Sequence, residues 1–343
     1  MRTRIVCAFT LSLLTAALLG ATVSFVSAAG IELKRDITYK QGDGFVDVIR
    51  DDNVIARYVY EDTPKPYIYP VTAPNAEAVT RAYPMEEVAG EPTDHPHHRS
   101  FWIGYGDVNG IDFWTEGEKT GKIVHKSLDL IPPGGGTPAI FATNQWFGPD
   151  GRRVCCEERG IRFLSCEYGT IISTMLILQA TDGELTLGDT KEGFFGLRVA
   201  PTMQLKGGTG HIVNSNGDKG AECWGKRARW CDYTGKVNGK TCGITIFDAP
   251  FNTGFPTYWH ARDYGLFAAN PFGGQAFTGD EANNSAVTIP ERGSLTLVYT
   301  VLIHDGELTA ETLDTIADQL LGKDTTPFPG DSDEARQGET APR

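Results

Sequence analysis

The chain has 343 residues, and its 44 acidic residues outnumber its 31 Lys and Arg to give a formal net charge of −13. A surface of this sign argues against nucleic acid and against anionic membranes as partners. The length provides ample core for one large domain or for two small ones.

The first 28 residues have the pattern of a secretory signal peptide. Arg2 and Arg4 precede an apolar run over residues 5–19, and the small residues 26–28 form a cleavage site. The rest of the sequence contains no apolar stretch long enough to span a bilayer. We therefore expect residues 1–28 to be removed and the mature protein to be periplasmic or secreted, with no membrane insertion.

Segments rich in β-branched and aromatic residues recur along the chain between short turns, which predicts many antiparallel strands. Three neighbouring pairs are predicted to be hairpins, namely 45–50 with 54–60, 139–147 with 152–164, and 170–181 with 184–187. Further strands are predicted over residues 123–131, 194–205, 243–247 and 294–304.

Two segments do not fit the strand pattern. Residues 63–74 contain four prolines, and because proline has no N–H to donate we expect an ordered loop there, with its tyrosines available to a cleft. Near the end of the chain, Thr309 is suited to cap a helix that Gly322 would close. The apolar stripe of that helix consists of Leu313, Ile316, Ala317, Leu320 and Leu321.

These elements predict an all-β fold, a large two-sheet antiparallel β-sandwich with one C-terminal helix. A mutarotase-like supersandwich is one form of that fold. The absence of alternating strands and helices argues against a Rossmann fold or a TIM barrel. We expect a single domain over residues 29–322 and a disordered tail over residues 323–343, which is polar and has no core pattern.

Six cysteines remain once the signal peptide is excluded, and an even number in an exported protein permits disulfides. Cys223 and Cys231 are predicted to form a bridge that closes a small loop. Cys155 and Cys156 should not pair with each other, because adjacent residues on a strand face opposite ways. Burial as free thiols is the alternative for any of the six.

The most distinctive stretch is 94–102, which holds three of the seven histidines between an acid and an arginine. Pro96 favours an extended conformation for His95 and therefore a stiff bend. Imidazole changes its charge near neutral pH and is a common metal ligand. The stretch is either a solvated polar loop or a functional site, and the concentration of histidines beside Asp94 and Arg99 favours the functional site.

A second stretch of the same kind, 256–273, combines His260, Arg262 and Asp263 with aromatic residues. The segments 189–198 and 224–230 also mix charged, aromatic and glycine residues. Each segment alone is equally consistent with salt-bridged loops at sheet edges. Four of them in one β domain predict loops that converge on one cleft, in which the two histidine stretches meet.

The stretch 94–100, the sequence WGKRARW at 224–230 and the sequence YWHARDYGLFAANPFG at 258–273 resemble the family of exported bacterial proteins known as "methane oxygenase PmoA". The resemblance covers roughly residues 31–308. It implies β-sandwich proteins of polysaccharide-degrading bacteria, and therefore sugar chemistry, but it supplies no catalytic residues.

Three functions are compatible with these residues. The first is a carbohydrate-active enzyme, a lyase, hydrolase or epimerase such as a mutarotase, which acts on a small sugar or an oligosaccharide. Its predicted catalytic residues are His97, His98, His260, Glu192 and Asp263. Its predicted substrate-binding residues are Arg99, Trp102, Arg198, Trp259, Arg262 and Tyr264.

The second function is a metal-dependent enzyme, with a divalent ion as its cofactor. Its predicted ligands are His95, His97 and His98, completed by Asp94 or His260. The third is a non-catalytic sugar-binding module, which would use the aromatic residues and would not need the histidines.

Overall fold

The computed structural model describes residues 30–131 and 139–321. The predicted signal peptide, the predicted tail and Gly322 lie outside these residues, so the domain boundaries at 29 and 322 stay predictions. Among the described residues, no helix combines the length and apolar character needed to cross a membrane.

The described chain forms 18 strands and two α-helices. The strands are β1 Thr38–Gln41, β2 Phe45–Arg50, β3 Asn53–Val59, β4 Tyr67–Val71, β5 Phe101–Tyr105, β6 Lys122–Ile131, β7 Ala139–Phe147, β8 Arg153–Cys166, β9 Gly169–Gln179, β10 Leu185–Leu187, β11 Gly193–Arg198, β12 His211–Asn214, β13 Trp230–Val237, β14 Lys240–Asp248, β15 Tyr258–Ala261, β16 Leu266–Asn270, β17 Val287–Ile289 and β18 Ser294–Asp305. The helices are α1 Gly274–Thr278 and α2 Ala310–Leu320.

Sixteen of the strands form two sheets of eight. The first sheet has the order β1-β2-β3-β4-β5-β11-β16-β15, and the second has the order β12-β13-β14-β18-β9-β8-β7-β6. The strands β10 and β17 form a separate small pair. Because the pairings within both large sheets are antiparallel and helices are few, the predicted all-β two-sheet sandwich is confirmed.

The core lies between the two sheets. Phe195 of the first sheet stacks on Tyr299 of the second, with ring centroids 4.8 Å apart, and Phe101 packs edge-on against Phe195 at 4.7 Å. These side chains belong to one large cluster of buried residues drawn from both sheets. Each large sheet therefore buries one face against the other, as expected for a sandwich.

The C-terminal helix forms as the sequence predicts. The Thr309 hydroxyl accepts a hydrogen bond of 3.1 Å from the Thr312 amide and so caps α2. Leu313, Ile316 and Ala317 are buried against the second sheet, in a cluster with Trp230. The apolar stripe therefore determines which face of α2 packs against the second sheet.

Three predictions about strands are wrong. The proline-rich segment contributes β4, which lies inside the first sheet between β3 and β5, and Pro70 falls where the register with β3 shifts. The strand β10 pairs with β17 and not with β9, so residues 170–187 do not form a hairpin. The strand predicted at 194–205 ends at Arg198. The pairing of β4 with β5 and that of β10 with β17 join segments that are far apart in sequence.

The predicted Cys223–Cys231 disulfide is not formed. Both cysteines are buried free thiols, and they lie within hydrogen-bonding distance of each other. Burial and the neighbouring Cys223 thiol raise the pKa of the Cys231 thiol. The two residues are thus adjacent, as predicted, but they fill space in the core without a covalent link.

Candidate active site

Four strands of the first sheet place small and functional residues in one row. Trp102 of β5 lies opposite Gly196 of β11, Gly196 lies opposite Ala268 of β16, and Ala268 lies opposite His260 of β15. Cross-strand partners share a face of a sheet. Because the adjacent residue Phe195 points into the core, this row lies on the face turned away from the second sheet.

Arg81 fixes the histidine loop that covers this face. Its fully buried guanidinium donates to the backbone oxygens of Asp94 at 2.9 Å and His95 at 3.0 Å, and to a carboxylate oxygen of Asp94 at 2.9 Å. Pro96 does not hold His95 extended as predicted, since His95 has a φ of +48°. A non-glycine residue adopts this left-handed conformation only when its surroundings enforce it, and the Arg81 contacts do so here.

Asp94 and His95 form a dyad. A carboxylate only accepts hydrogen bonds when ionised, so the Nδ1–H of His95 donates to Oδ2 of Asp94, which leaves Nε2 as the ring nitrogen for a ligand. Arg198 donates to both oxygens of Asp94, at 3.1 and 3.0 Å. Burial alone would raise the pKa of Asp94, but the hydrogen bond from His95 and the charges of Arg198 and Arg81 lower it. The dyad therefore presents a partly exposed imidazole backed by an ionised carboxylate.

His95, Tyr264, Arg262 and Trp224 contact one another in sequence and form the surface that is called the cleft below. Four rings form a column at its edge. His95 stacks on Tyr264 with centroids 5.1 Å apart, His98 stacks on His95 at 4.8 Å, and Trp102 stacks on His98 at 5.1 Å. Nδ1 of His98 accepts a bond of 3.0 Å from Arg198, so the proton of this neutral imidazole lies on Nε2. Burial and the charges of His97 and Arg198 lower the pKa of His98 well below its ordinary value. His98 and Trp102 are buried and support His95 from below.

His97 lies near a second set of charged residues, formed by Lys65, Glu116 and Arg99. Its ring packs edge-on against His98 at 4.4 Å, and burial, followed by the charge of Lys65, lowers its pKa to about 4. Lys65 lies 3.3 Å from Glu116, and Arg99 forms two bonds of 2.8 Å with the same carboxylate. Arg99 is therefore committed to Glu116 and does not project freely into the cleft.

Glu192 and Arg262 are two further charged groups of the cluster. Burial raises the pKa of Glu192, while the charges of Lys191, His95 and Arg262 lower it, so this carboxyl lies within electrostatic range of the dyad. Its carboxylate is 3.9 Å from Nζ of Lys191. The guanidinium of Arg262 lies 5.5 Å from the ring centre of Tyr264 and 5.6 Å from that of Trp224.

His260 lies on the face of the first sheet that the histidine loop covers. It is buried, whereas His95 is exposed to a ligand. Its side chain is buried, and its Nδ1–H donates to the backbone oxygen of Lys191 at 2.9 Å. Burial lowers its pKa to about 3, so it is neutral at ordinary pH. Its ring packs edge-on against Trp224 at 6.4 Å, which connects it to the cleft through an aromatic neighbour.

Two predicted site residues, Trp259 and Trp102, are too deeply buried to contact a substrate. Trp259 is fully buried in the core, where its indole N–H donates to the backbone oxygen of Ala228 at 2.9 Å, because alternation along β15 turns it away from the face that carries His260. Asp263 is half-buried in the turn after β15, between Arg262 and Tyr264, and its charge also acts on the phenol of Tyr233. Trp102 is on the right face but is too deeply buried to stack on a substrate.

The predicted metal site is not present. Among the described residues, no group of three or more His, Cys, Asp or Glu side chains is arranged to hold a metal ion. His95 and His98 are stacked with their planes 10° apart, so their nitrogens do not converge on one point. The Asp94 oxygens are already occupied by Arg81, Arg198 and His95. The histidines therefore pack against one another in this structure.

Sequence reasoning missed Arg81, Lys65, Glu116 and Asp112. All four lie in segments that read as ordinary loops, and the one available signal is the proximity of Arg81 and Lys65 to prolines.

A separate cavity of about 320 Å³ lies beside α2, and none of the cluster residues lines it. Its lining consists of Arg229, Asp248, Pro250, Phe255, Ala317, Asp318 and Leu321.

The fold and the cluster together define an all-β protein whose cleft brings imidazole, carboxyl and guanidinium groups into contact. Residues 45–318 match the model of DUF6807, a family of unknown function, and the chain belongs to that family. It matches none of the curated proteins with which it was compared.

Several solved structures are similar in outline. The galactose 1-epimerase of Lactobacillus acidophilus NCFM has a TM-score of 0.37 at 10% identity, over 77% of this chain and 98% of that one. A glycoside hydrolase family 97 enzyme in complex with acarbose, from Pseudoalteromonas sp. strain K8, has a TM-score of 0.33 at 13% identity, over 73% and 34%. A putative kojibiose phosphorylase from the human microbiome has a TM-score of 0.30 at 10% identity, over 85% and 36%. At these identities and TM-scores the likenesses decide nothing about activity.

Proposed function

We propose that this protein is a carbohydrate-active enzyme that works by proton transfer between a sugar and the pair His95 and Glu192. The observation that carries the proposal is the Asp94–His95 dyad beside a carboxyl group whose pKa is raised by burial. Acid and base groups whose environments hold them in different protonation states are the usual equipment of such sites.

The two groups have complementary roles. Nε2 of His95 takes a proton from a sugar hydroxyl, while Asp94 stabilises the imidazolium that forms. Glu192 is assigned as the proton donor, because burial raises its pKa above the ordinary value of a carboxyl group. When the hydroxyl is on the anomeric carbon and the ring oxygen receives the proton, the bond between that carbon and the ring oxygen breaks and a carbonyl forms. Closure of the ring on the other face returns both protons.

The surroundings suit a sugar. Trp224 is partly exposed beside Arg262 and provides apolar surface for a sugar ring. Arg262 adds a planar fork of N–H donors for hydroxyl or acidic oxygens. Epimerases, lyases and hydrolases share the acid–base step, so the substrate decides among them.

The test is an NMR screen of purified protein against mono- and oligosaccharides, including oxidised ones, that follows both new products and the exchange of anomers. We expect conversion of at least one sugar, with a loss of about 10²- to 10⁴-fold in Glu192→Gln and in His95→Gln. The matched controls Glu281→Gln and His211→Gln change exposed residues outside the cleft and should keep full activity.

Unchanged turnover in both cleft variants would contradict the assigned roles. Binding of a sugar without conversion would indicate the non-catalytic binding module instead. We also propose export, which the pattern of residues 1–28 supports, and N-terminal sequencing of the protein recovered from the producing cells tests it.

A further inference from the structure

We infer that the substrate is an anionic sugar, whose acidic group binds to the guanidinium of Arg262. This inference rests on the proposed function and adds to it the chemical class of the ligand. It stands on the contacts of Arg262 and on the distribution of charge around the cleft.

Arg262 is held in place but has no acidic partner. Its guanidinium lies over the rings of Tyr264 and Trp224, at 5.5 and 5.6 Å. Among the described residues, no carboxylate forms an ion pair with it and no acceptor takes a hydrogen bond from its side chain. The other cleft arginines, in contrast, are all bonded to Asp94 or Glu116. Arg262 therefore keeps its five N–H donors for a ligand.

The arrangement also limits where those donors can point. Two aromatic rings restrict the position of the guanidinium group, so less conformational freedom is lost when it binds. A planar guanidinium recognises a carboxylate through two parallel hydrogen bonds. The sugar ring would then lie between Arg262 and the dyad, within reach of Glu192, whose pKa responds to the charge of Arg262.

The cationic groups around Arg262 already have carboxylate partners. Asp94 is shared by Arg81 and Arg198, and Glu116 is shared by Lys65 and Arg99. Lys191 lies 3.9 Å from Glu192. Arg262 therefore offers an uncompensated positive charge in a chain whose net charge is −13, and such a charge attracts an anionic group more strongly than a neutral one.

An anionic substrate would also favour the proposed chemistry. A negative charge beside Glu192 raises the pKa of that carboxyl further and keeps it in the proton-donating form. A neutral sugar has no such effect. The same acidic group thus provides both binding to Arg262 and activation of Glu192.

Three kinds of acidic group share this chemistry, namely a carboxylate, a sulfate ester and a phosphate ester. The experiment compares one neutral sugar that the screen identifies with its uronate, its sulfate and its phosphate, by kcat/KM and by calorimetric Kd. We expect at least one charged form to exceed the neutral sugar by about 10- to 100-fold. We also expect that preference to weaken as salt concentration rises.

The variants separate the role of Arg262 from general effects. Arg262→Gln should remove the preference for the charged sugar, so that kcat/KM falls more for the charged sugar than for the neutral one, and Arg262→Lys should restore part of the preference. The control Arg152→Gln removes an exposed arginine in the turn between β7 and β8 and should change nothing. Equal kinetics for neutral and charged sugars, or a preference that survives Arg262→Gln, overturns the inference and leaves the proposed function intact. No conversion or binding of any sugar overturns both.

Discussion

Asp94 holds three cationic or imidazole groups at once. Its carboxylate receives hydrogen bonds from Arg81, Arg198 and His95, and Arg81 also fixes the backbone on both sides of the Asp94–His95 peptide. The geometry of the dyad is therefore set by two buried arginines that cannot lose their charge. A change at this one residue affects both the orientation of His95 and the pairing of the arginines.

Asp94→Asn should reduce activity by about 10²-fold or more, because the neutral amide orients His95 poorly and does not stabilise the imidazolium. It should also reduce the free energy of unfolding by about 1–3 kcal/mol, since two buried guanidinium groups lose their counter-ion. Turnover and urea unfolding of the variant measure the two effects. Asp129→Asn, which changes an exposed carboxylate on β6, is the control, and equal behaviour of the two variants would argue against the dyad.

At the residue scale, the sequence identified the right residue types but assigned several of them wrongly. The density of histidine and arginine located the cleft, yet it could not distinguish His95, which is accessible, from His98, which is buried. The roles of Trp259 and His260 depend on the phase of β15, which only its pairing with β16 defines. Arg81 has no sequence signature, because its function consists of bonds to backbone oxygens.

At the scale of elements, β11 determines how closely the indole rings of Trp102 and Trp114 can pack against the first sheet. Gly196 lies at the centre of the row from Trp102 to His260, and a Cβ built there would come within 2.9 Å of Trp114 and 3.0 Å of Trp102. The two indoles therefore occupy the space that a side chain would fill. This close approach lets Trp102 support His98 from below.

Gly196→Ala should destabilise the protein by about 1–3 kcal/mol, because two buried indoles must move to accommodate the methyl group. We also expect a weaker affinity for the sugar, since displacement of Trp102 disturbs the ring column. Denaturant unfolding and calorimetry measure the two effects. Gly117→Ala, at a position where a Cβ meets no atom within 4 Å, should leave both unchanged, and a stable Gly196→Ala with full affinity would refute the packing argument.

Local elements were easier to predict than paired ones. The helix α2 is encoded by a cap and an apolar stripe within twelve residues, so its position followed from the sequence. The strand β4 contains Pro70, and its place inside the first sheet depends on β5, which lies more than 30 residues further along. Strand composition predicts that a strand exists, but its neighbours are decided by packing across the whole sheet.

At the scale of the whole molecule, buried neutral imidazoles connect the site to acid stability. Burial lowers the pKa of His260 to about 3 and that of His97 to about 4, and it lowers that of His98 further. In the unfolded chain these groups return to an ordinary pKa near 6.5. Below that pH the unfolded state binds more protons than the folded state, so the stability of the fold must fall as the pH falls.

We therefore expect the free energy of unfolding to decrease from pH 7.5 to pH 5, with His260 contributing about 2 kcal/mol of the loss at pH 5. The stability that depends on a neutral His260 is fully present above pH 6.5 and is lost progressively as the pH falls to the folded pKa of His260, about 3. Urea unfolding at several pH values measures it. His260→Gln should flatten the dependence by that amount, whereas the exposed-residue control His211→Gln should not. Parallel curves for the wild type and His260→Gln would contradict the buried neutral state.

The ring column has an optical consequence. Of the six tryptophans, Trp102 and Trp114 lie beneath the imidazole of His98, and Trp224 borders the cleft next to Arg262. The remaining three lie in the buried core. Indole emission responds to nearby charge and to water, and half of the tryptophans lie in or next to the site. A ligand that reaches the dyad should change the emission spectrum, which gives a label-free signal for screening compounds before any reaction is known.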